Sequence, residues 1–326
     1  MKRSKHRQQW LSDFFAGEPF KLRPASEDAS FRSYYRITTA QQSYILMDAP
    51  PAHEDCKPFI KVLKLLQQSH VNVPQLFAED LQQGFLLLAD FGNTLYLDAL
   101  KEDTVDELYG AAIKSLINIQ NTPAADLLPQ YDSELLLNEM QLFEDWFIQK
   151  HLAVTLNETQ KKVIKNTFEL LKNNAIEQPQ AMVHRDFHSR NLMVTSSHSP
   201  GVIDFQDAVH GPYTYDLVSL LKDCYISWPD EKVHAICEVF KNQSNHHTAE
   251  ISDEQFMRWF DLMGAQRHLK AIGIFCRLHY RDGKSGYLND IPRTMRYLLK
   301  TAKKHPDLAA FAQLLDDIQP KLASAQ

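Results

Sequence analysis

Residues 184–191 read HRDFHSRN, and after a short gap residues 202–205 read VIDF. The octapeptide has the order His-Arg-Asp, four residues, then Asn. Short apolar segments flank it: AMVH (181–184) leads in, NLMVT (191–195) leads out, and Pro200-Gly201 turns the chain into VIDF. A loop followed by a hairpin brings Asp186, Asn191 and Asp204 to one edge. On either side the spacing is helical. Residues 105–121, 133–152 and 157–174 carry apolar side chains every three or four positions. Asn157 with Gln160 three residues on reads as a capping box opening the third of these, and the chain after Pro212 again reads mostly as helix. The first 95 or so residues read mainly as strands with one helix. SYYRIT (33–38) and SYILMD (43–48) face each other across a polar turn, PFIKVLKLLQQS (58–69) has helical spacing, and GFLLLA (84–89) is of core-strand length. The pattern changes near residues 90–94. The expectation is an α+β, two-lobe fold, with a sheet-rich N-terminal lobe over residues 1–93 and a helical lobe over residues 94–326.

The three polar residues supply what phosphoryl transfer requires. One carboxylate must orient the attacking hydroxyl and take its proton, and Asp186 is placed to do so. Mg²⁺ prefers hard oxygen ligands and keeps several waters; Asn191 offers an amide oxygen and Asp204 a carboxylate. The spacing also bears on the acceptor. Asp204 is followed by Gln206 where a D-F-G motif has glycine, and the short run to Asp216 lacks the A-P-E that closes a protein kinase's activation segment. Both features point away from protein substrates.

Composition narrows the field further. The 326 residues carry a net charge of -6, which argues against a general nucleic-acid binder. Hydrophobic residues at 44% and charged residues at 23% are ordinary for a globular chain. Cys56, Cys224, Cys237 and Cys276 are scattered without a CxxC pair, so neither a zinc site nor a disulfide framework is indicated. The N-terminal MKRSKHRQQWLSDFF has no signal-peptide-like apolar run, and no stretch approaches the length of a membrane span. The expectation is a cytoplasmic protein with neither nucleic acid nor membrane as partner.

These motifs resemble those of the aminoglycoside phosphotransferase and choline kinase superfamily. The segment 201–228 (GVIDFQDAVHGPYTYDLVSLLKDCYISW) extends the likeness, as do DASFRSYYRI (28–37), SYILMDAPP (43–51) and FDLMGAQRHLKAIGIFCRLHYRDGKSGY (260–287). Within the superfamily these segments resemble the bacterial anomeric amino-sugar kinases of cell-wall recycling. The resemblance covers most of the chain. It implies a protein-kinase-like fold, ATP and Mg²⁺ as cofactors, and transfer to the C1 hydroxyl of an amino sugar, N-acetylmuramate or N-acetylglucosamine.

The nucleotide side departs from the common pattern. Residues 28–36 stand where a phosphate-covering glycine-rich loop is expected, yet hold no glycine. Ser30 and Ser33 are small enough for backbone N–H groups to approach phosphate, and Arg32 or Arg36 can reach it. The strand lysine of a V-A-I-K motif is missing, its region occupied by Met47 and Asp48. An arginine replaces it, or the protein works without it, or the chain is a non-catalytic nucleotide-binding pseudokinase. The connector 88–91 is expected to offer backbone groups to adenine, with Asp90 beside it.

On the acceptor side, Asp207 lies three residues past Asp204 and is a candidate for a sugar hydroxyl. Asp216, ahead of the apolar LVSLL, reads as a helix cap or a brace for the loop. Residues 264–304 hold ten Lys or Arg against two acids, and Arg267, Lys270, Arg277 and Arg281 fall on one helical stripe. Choline, ethanolamine and aminoglycosides are cations whose pockets should be acidic. A basic stripe suits an anion such as a carboxylate, so Arg267, Lys270 and Arg281 join Asp207 as substrate-binding candidates.

Overall fold

The computed structural model describes residues 2–27 and 31–325. Near the N-terminus an antiparallel sheet has strand order β1-β2-β3-β5-β4. Its strands are β1 (Lys21–Glu27), β2 (Ser33–Thr38), β3 (Ser43–Asp48), β4 (Leu76–Asp80) and β5 (Phe85–Ala89). The β2–β3 hairpin pairs Tyr34 with Met47 and Arg36 with Ile45. Helix α1 (Lys2–Phe14) covers one face and α2 (Lys57–Gln68) the other. Successive strand side chains point to opposite faces. Leu46, Phe85 and Leu87 therefore meet Leu11 from α1 and Phe15 just past it, while Met47, Leu86 and Leu88 join Phe59, Val62, Leu63 and Leu66 from α2. Burial on both faces explains why β5 is an unbroken apolar run.

After the connector the chain is helical: α3 (Tyr96–Ala99), α4 (Val105–Gln120), α5 (Ser133–Leu142) and α6 (Glu158–Ile176). Helix α5 runs on as a π-helical segment, Phe143–His151, where the periodicity reads as one helix. The Asn157–Gln160 capping box opens α6, with both reciprocal bonds present. Two short ladders follow, β6 (Gln180–Val183) with β9 (Val209–Pro212), and β7 (Leu192–Met193) with β8 (Gly201–Val202). The last stretch holds α7 (Tyr215–Leu221), α8 (Asp230–Gln243), α9 (Asp253–Asp282), α10 (Ile291–Lys304) and α11 (Ala309–Ala325).

Helix α9, 30 residues long, runs through this lobe and packs on α5, α6, α7 and α10. Gly273 lets α5 approach: a Cβ there would lie 2.4 Å from the Leu142 carbonyl carbon. Gly283, at φ 70°, ends the helix in the left-handed conformation that favours glycine.

Helix α9 also buries His268 completely, stacked on Tyr297 with its Nε2 3.0 Å from the Lys222 carbonyl oxygen. Burial pulls its pKa down to about 3, so the folded protein holds it neutral. An unfolded chain protonates the same imidazole near its ordinary pKa of about 6.5. Between those values the unfolded state binds more protons, so stability falls as pH drops through that window. Acidification from pH 7.5 to 5 should cost about 2 kcal/mol through His268. Melting of wild type and His268→Gln at both pH values measures this share: the variant should lose less Tm on acidification, and equal losses would exclude His268 as a contributor.

Candidate active site

Strand β6 delivers residues 184–191 and β7 carries the chain away. Two buried carboxylates from the α7 region hold the loop between them. Asp216, in the first turn of α7, accepts the His184 N–H at 2.6 Å and the Arg185 N–H at 3.0 Å. Asp223, just past α7, accepts the Ser189 N–H at 3.0 Å, its hydroxyl at 2.6 Å, and the Tyr225 N–H at 3.0 Å. Burial raises the Asp216 pKa to about 6, although His184 and the two amide bonds pull the other way. The His184 ring pairs through Nε2 with the Ile203 carbonyl at 3.1 Å, tying the loop to the segment that carries Asp204. Arg185 and Asp204 both take positive φ, 76° and 65°. Side chains adopt that region at a cost, one tolerated where the surroundings determine the backbone.

Asp186 stands at the centre. Burial raises its pKa, but Lys270, His188, Arg267 and Arg185 outweigh that and hold it down to about 2. The carboxylate is therefore ionised at neutral pH. The Asn191 amide donates to the Asp186 carbonyl at 3.0 Å and to Asp204 Oδ2 at 3.3 Å. Gln206, in the glycine position, donates to Asp204 Oδ1 at 2.8 Å and to Asp207 Oδ2 at 3.2 Å. Asp186, Asn191 and Asp204 thus form one hydrogen-bonded unit, as their spacing suggests.

A cationic wall faces this unit. Buried Glu139 of α5 accepts from the Tyr131 hydroxyl, the Arg185 guanidinium and Lys270, the last at 3.1 Å. Lys270 also donates to the Tyr215 hydroxyl at 3.2 Å. Arg267, one turn earlier on α9, has its Nη1 3.6 Å from the Cys224 sulfur. Burial pulls His188 down to about 4, and its ring meets Tyr225 edge-on.

These groups open onto a cavity of about 620 Å³ between the sheet and the helices. Ile45 and Leu88 line it from the sheet and Met193 and Ile203 from the segments after the loop, together with the connector Ala89–Asn93. Asp186, Asn191 and Asp204 line it from the loop and the segment that follows; Arg267, Lys270 and Phe275 line it from α9, with Tyr225 and Tyr287.

The cavity gathers most but not all of the residues singled out in the sequence. Asp90 lines it, with its carboxylate taken by Arg36 at 2.6 Å and by the Gly92 N–H at 2.9 Å. Arg32 pairs with Glu54, ahead of α2, at 3.2 Å. Exposed Ser33 lies opposite Asp48 in the β2–β3 ladder. Asp207 is exposed, and Arg281 pairs with Asp282 at 2.8 Å; neither side chain lines the cavity. Ser30 lies outside the described residues. In the region of the missing strand lysine, Met47 belongs to the core, and Asp48 accepts from Arg3 at 2.7 Å and Arg7 at 3.0 Å. Arg36, on the cavity face of the neighbouring strand, bonds to the Gly92 carbonyl at 2.8 Å and to Asn93.

Among the described residues no cluster of three His, Cys, Asp or Glu side chains can hold a metal. One carboxylate and one amide oxygen, facing space for phosphate and water, are nonetheless a donor set that fits Mg²⁺, which retains water and substrate oxygens as ligands.

Residues 21–251 match the model of the phosphotransferase enzyme family. The chain belongs to that family. Among the curated relatives of this phosphotransferase are two named N-acetylmuramate/N-acetylglucosamine kinase. One, from Pseudomonas aeruginosa, is 47% identical over 299 residues, covering 91% of this chain and 88% of the relative. The other, from Pseudomonas putida, is 43% identical over 300 residues, with the same coverage of 91% and 88%. Among solved structures, the ADP-bound aminoglycoside phosphotransferase APH(2'')-Ib superposes with a TM-score of 0.59 at 14% identity, covering 90% of this chain and 97% of the other. That likeness establishes a protein-kinase-like fold for this phosphotransferase. Among its described residues no helix is long and apolar enough to cross a membrane.

Proposed function

We propose that this phosphotransferase is an ATP- and Mg²⁺-dependent kinase that phosphorylates the C1 hydroxyl of N-acetylmuramate and N-acetylglucosamine. The observation that carries the proposal is the Asp186 carboxylate, held ionised between the Asn191–Asp204 pair on one side and the Lys270–Arg267 wall on the other. Asp186 orients the acceptor hydroxyl and accepts its proton. Asn191 and Asp204 hold Mg²⁺, which when bound neutralises charge on the phosphates. Residues 1–93 bind the nucleotide: the apolar end of the cavity takes the adenine, and the backbone of the connector, braced by Arg36 and Asp90, presents its polar edge. Residues 94–326 bind the acceptor and supply Asp186. The names of the curated relatives support the choice of sugar.

A choline, ethanolamine or aminoglycoside acceptor is disfavoured by charge, because the acceptor end presents two buried cations rather than carboxylates. Purified protein with ATP and Mg²⁺ should release ADP in the presence of either amino sugar and stay at background with choline or kanamycin. Turnover with choline or kanamycin alone would reject the sugar assignment. Turnover with none of them would favour a non-catalytic role.

A further inference from the structure

Arg267 is only 5% exposed, yet it lines the cavity. Neighbouring cations end on carboxylates: Lys270 and Arg185 on Glu139, and Lys222 on Asp261 at 2.8 Å. Among the described residues Arg267 has no such partner, and its contact is the Cys224 sulfur. Burial raises the pKa of that thiol, so it supplies no formal charge. Its charge reaches the Asp223 and Asp186 carboxylates only beyond ion-pair distance; a buried guanidinium without a close anion is costly, and such cations are retained where a ligand completes them.

Its position indicates which ligand. Asn191 and Asp204 meet Asp186 from the catalytic-loop side, and that is where phosphate belongs. Arg267 reaches the cavity from α9, alongside Cys224, Tyr225 and Phe275, whose ring stacks on Tyr287 at 5.8 Å. This is the acceptor end. N-acetylmuramate differs from N-acetylglucosamine by one substituent, a lactyl ether that ends in a carboxylate. We propose that Arg267 is the specificity-determining residue that receives this lactyl carboxylate through a two-pronged hydrogen bond from its guanidinium. The inference rests on the kinase reading above. The fork geometry matches a carboxylate, whereas a lysine would act as a point charge. N-acetylglucosamine offers this guanidinium nothing to hold, so its turnover depends on Arg267 only through the charge Arg267 presents to Asp186.

The test is steady-state kinetics of wild type and Arg267→Gln with both sugars, together with wild type acting on the carboxamide of N-acetylmuramate. Loss of ground-state binding raises KM and leaves kcat in place. Arg267→Gln should raise the KM for N-acetylmuramate by about 10- to 100-fold, the range for a lost charge-assisted pair. Any loss that passes through Asp186 is shared by both sugars, so N-acetylglucosamine should show only that shared part and the ratio of the two KM values should shift by about the same 10- to 100-fold. The carboxamide with wild type should show the same KM increase as the acid with the variant. Equal losses on both sugars would overturn the proposal and give Arg267 a general role. Should the variant fail to fold, the carboxamide decides alone: a KM equal to that of the acid overturns the proposal. Wild type that phosphorylates neither sugar would overturn the kinase reading itself, a different failure from the other two.

Discussion

Asp186→Ala should lower kcat by about 10²–10⁴-fold, the usual contribution of a general base. Its fold should persist, because the loop is held by the bonds of Asp216 to His184 and Arg185 and of Asp223 to Ser189. Asp186 adds to them through its backbone: its N–H meets His184 Nδ1 and its carbonyl accepts from Asn191, neither of which alanine removes. What alanine does remove is the negative charge facing Lys270, His188, Arg267 and Arg185. A circular-dichroism melt and an ADP-release assay on the same preparation separate the two effects. Near-wild-type turnover would remove Asp186 from the chemistry. The pH profile offers a second check. With its pKa held at about 2, Asp186 is already ionised well below neutrality. The wild-type kcat/KM should show no acid limb from this group above about pH 4.

Asp204→Asn should have a comparable or larger effect. Asparagine tolerates the left-handed backbone that Asp204 adopts at φ 65°, so the segment keeps its shape. The change replaces a charged, hard oxygen donor with an amide. If Asp204 supplies the carboxylate of the Mg²⁺ site, turnover should fall by about 10³-fold, since such a metal contributes several kcal/mol of charge stabilisation. The Mg²⁺ concentration needed for half-maximal residual rate should rise. An unchanged Mg²⁺ dependence would place the metal elsewhere. The two substitutions differ in what they leave: Asp186→Ala keeps the wild-type Mg²⁺ dependence, and Asp204→Asn shifts it to higher Mg²⁺ concentration.

Much of the site was legible because local sequence sets it. The His-Arg-Asp loop, its asparagine and the downstream aspartate lie within 21 residues, and the structure places them within hydrogen-bond reach of one another. The β2–β3 hairpin and the α6 capping box were readable for the same reason: each is decided by neighbours in the chain.

What sequence reasoning missed depends on distant partners. Helix α1 has a polar, basic composition; Leu11 and the adjoining Phe15 hold it on the sheet, and Arg3 and Arg7 pair with Asp48, more than 40 residues away. Strand β9 forms by pairing with β6, about 30 residues earlier, and through His210 with Pro129 and Tyr131, about 80 residues earlier. Glu139 lies 46 residues before Arg185 and more than 100 before Lys270, and nothing around it in sequence marks it as their counter-ion. Asp223 likewise reads as one more acid after a helix, although it holds Ser189. The basic stripe showed the converse. Periodicity grouped Arg267, Lys270 and Arg281, and burial separated them: the first two lie inside the cavity, and the third sits in solvent against Asp282.

That separation gives the acceptor end its character. Glu139 neutralises part of the cationic wall and fixes Lys270 and Arg185, while Asp186 stays charged because the wall exists. The catalytic loop and the acceptor pocket are thus one electrostatic unit, reached from two distant parts of the chain.

The most direct test of the account is the position of the phosphate on the product. Purified protein, ATP, Mg²⁺ and N-acetylglucosamine would be incubated, and the product read by ³¹P–¹H correlation NMR. The account predicts a phosphorus signal coupled to the anomeric proton, which is phosphate on C1. A phosphate coupled to the C6 protons, or no phosphorylated sugar at all, would contradict it.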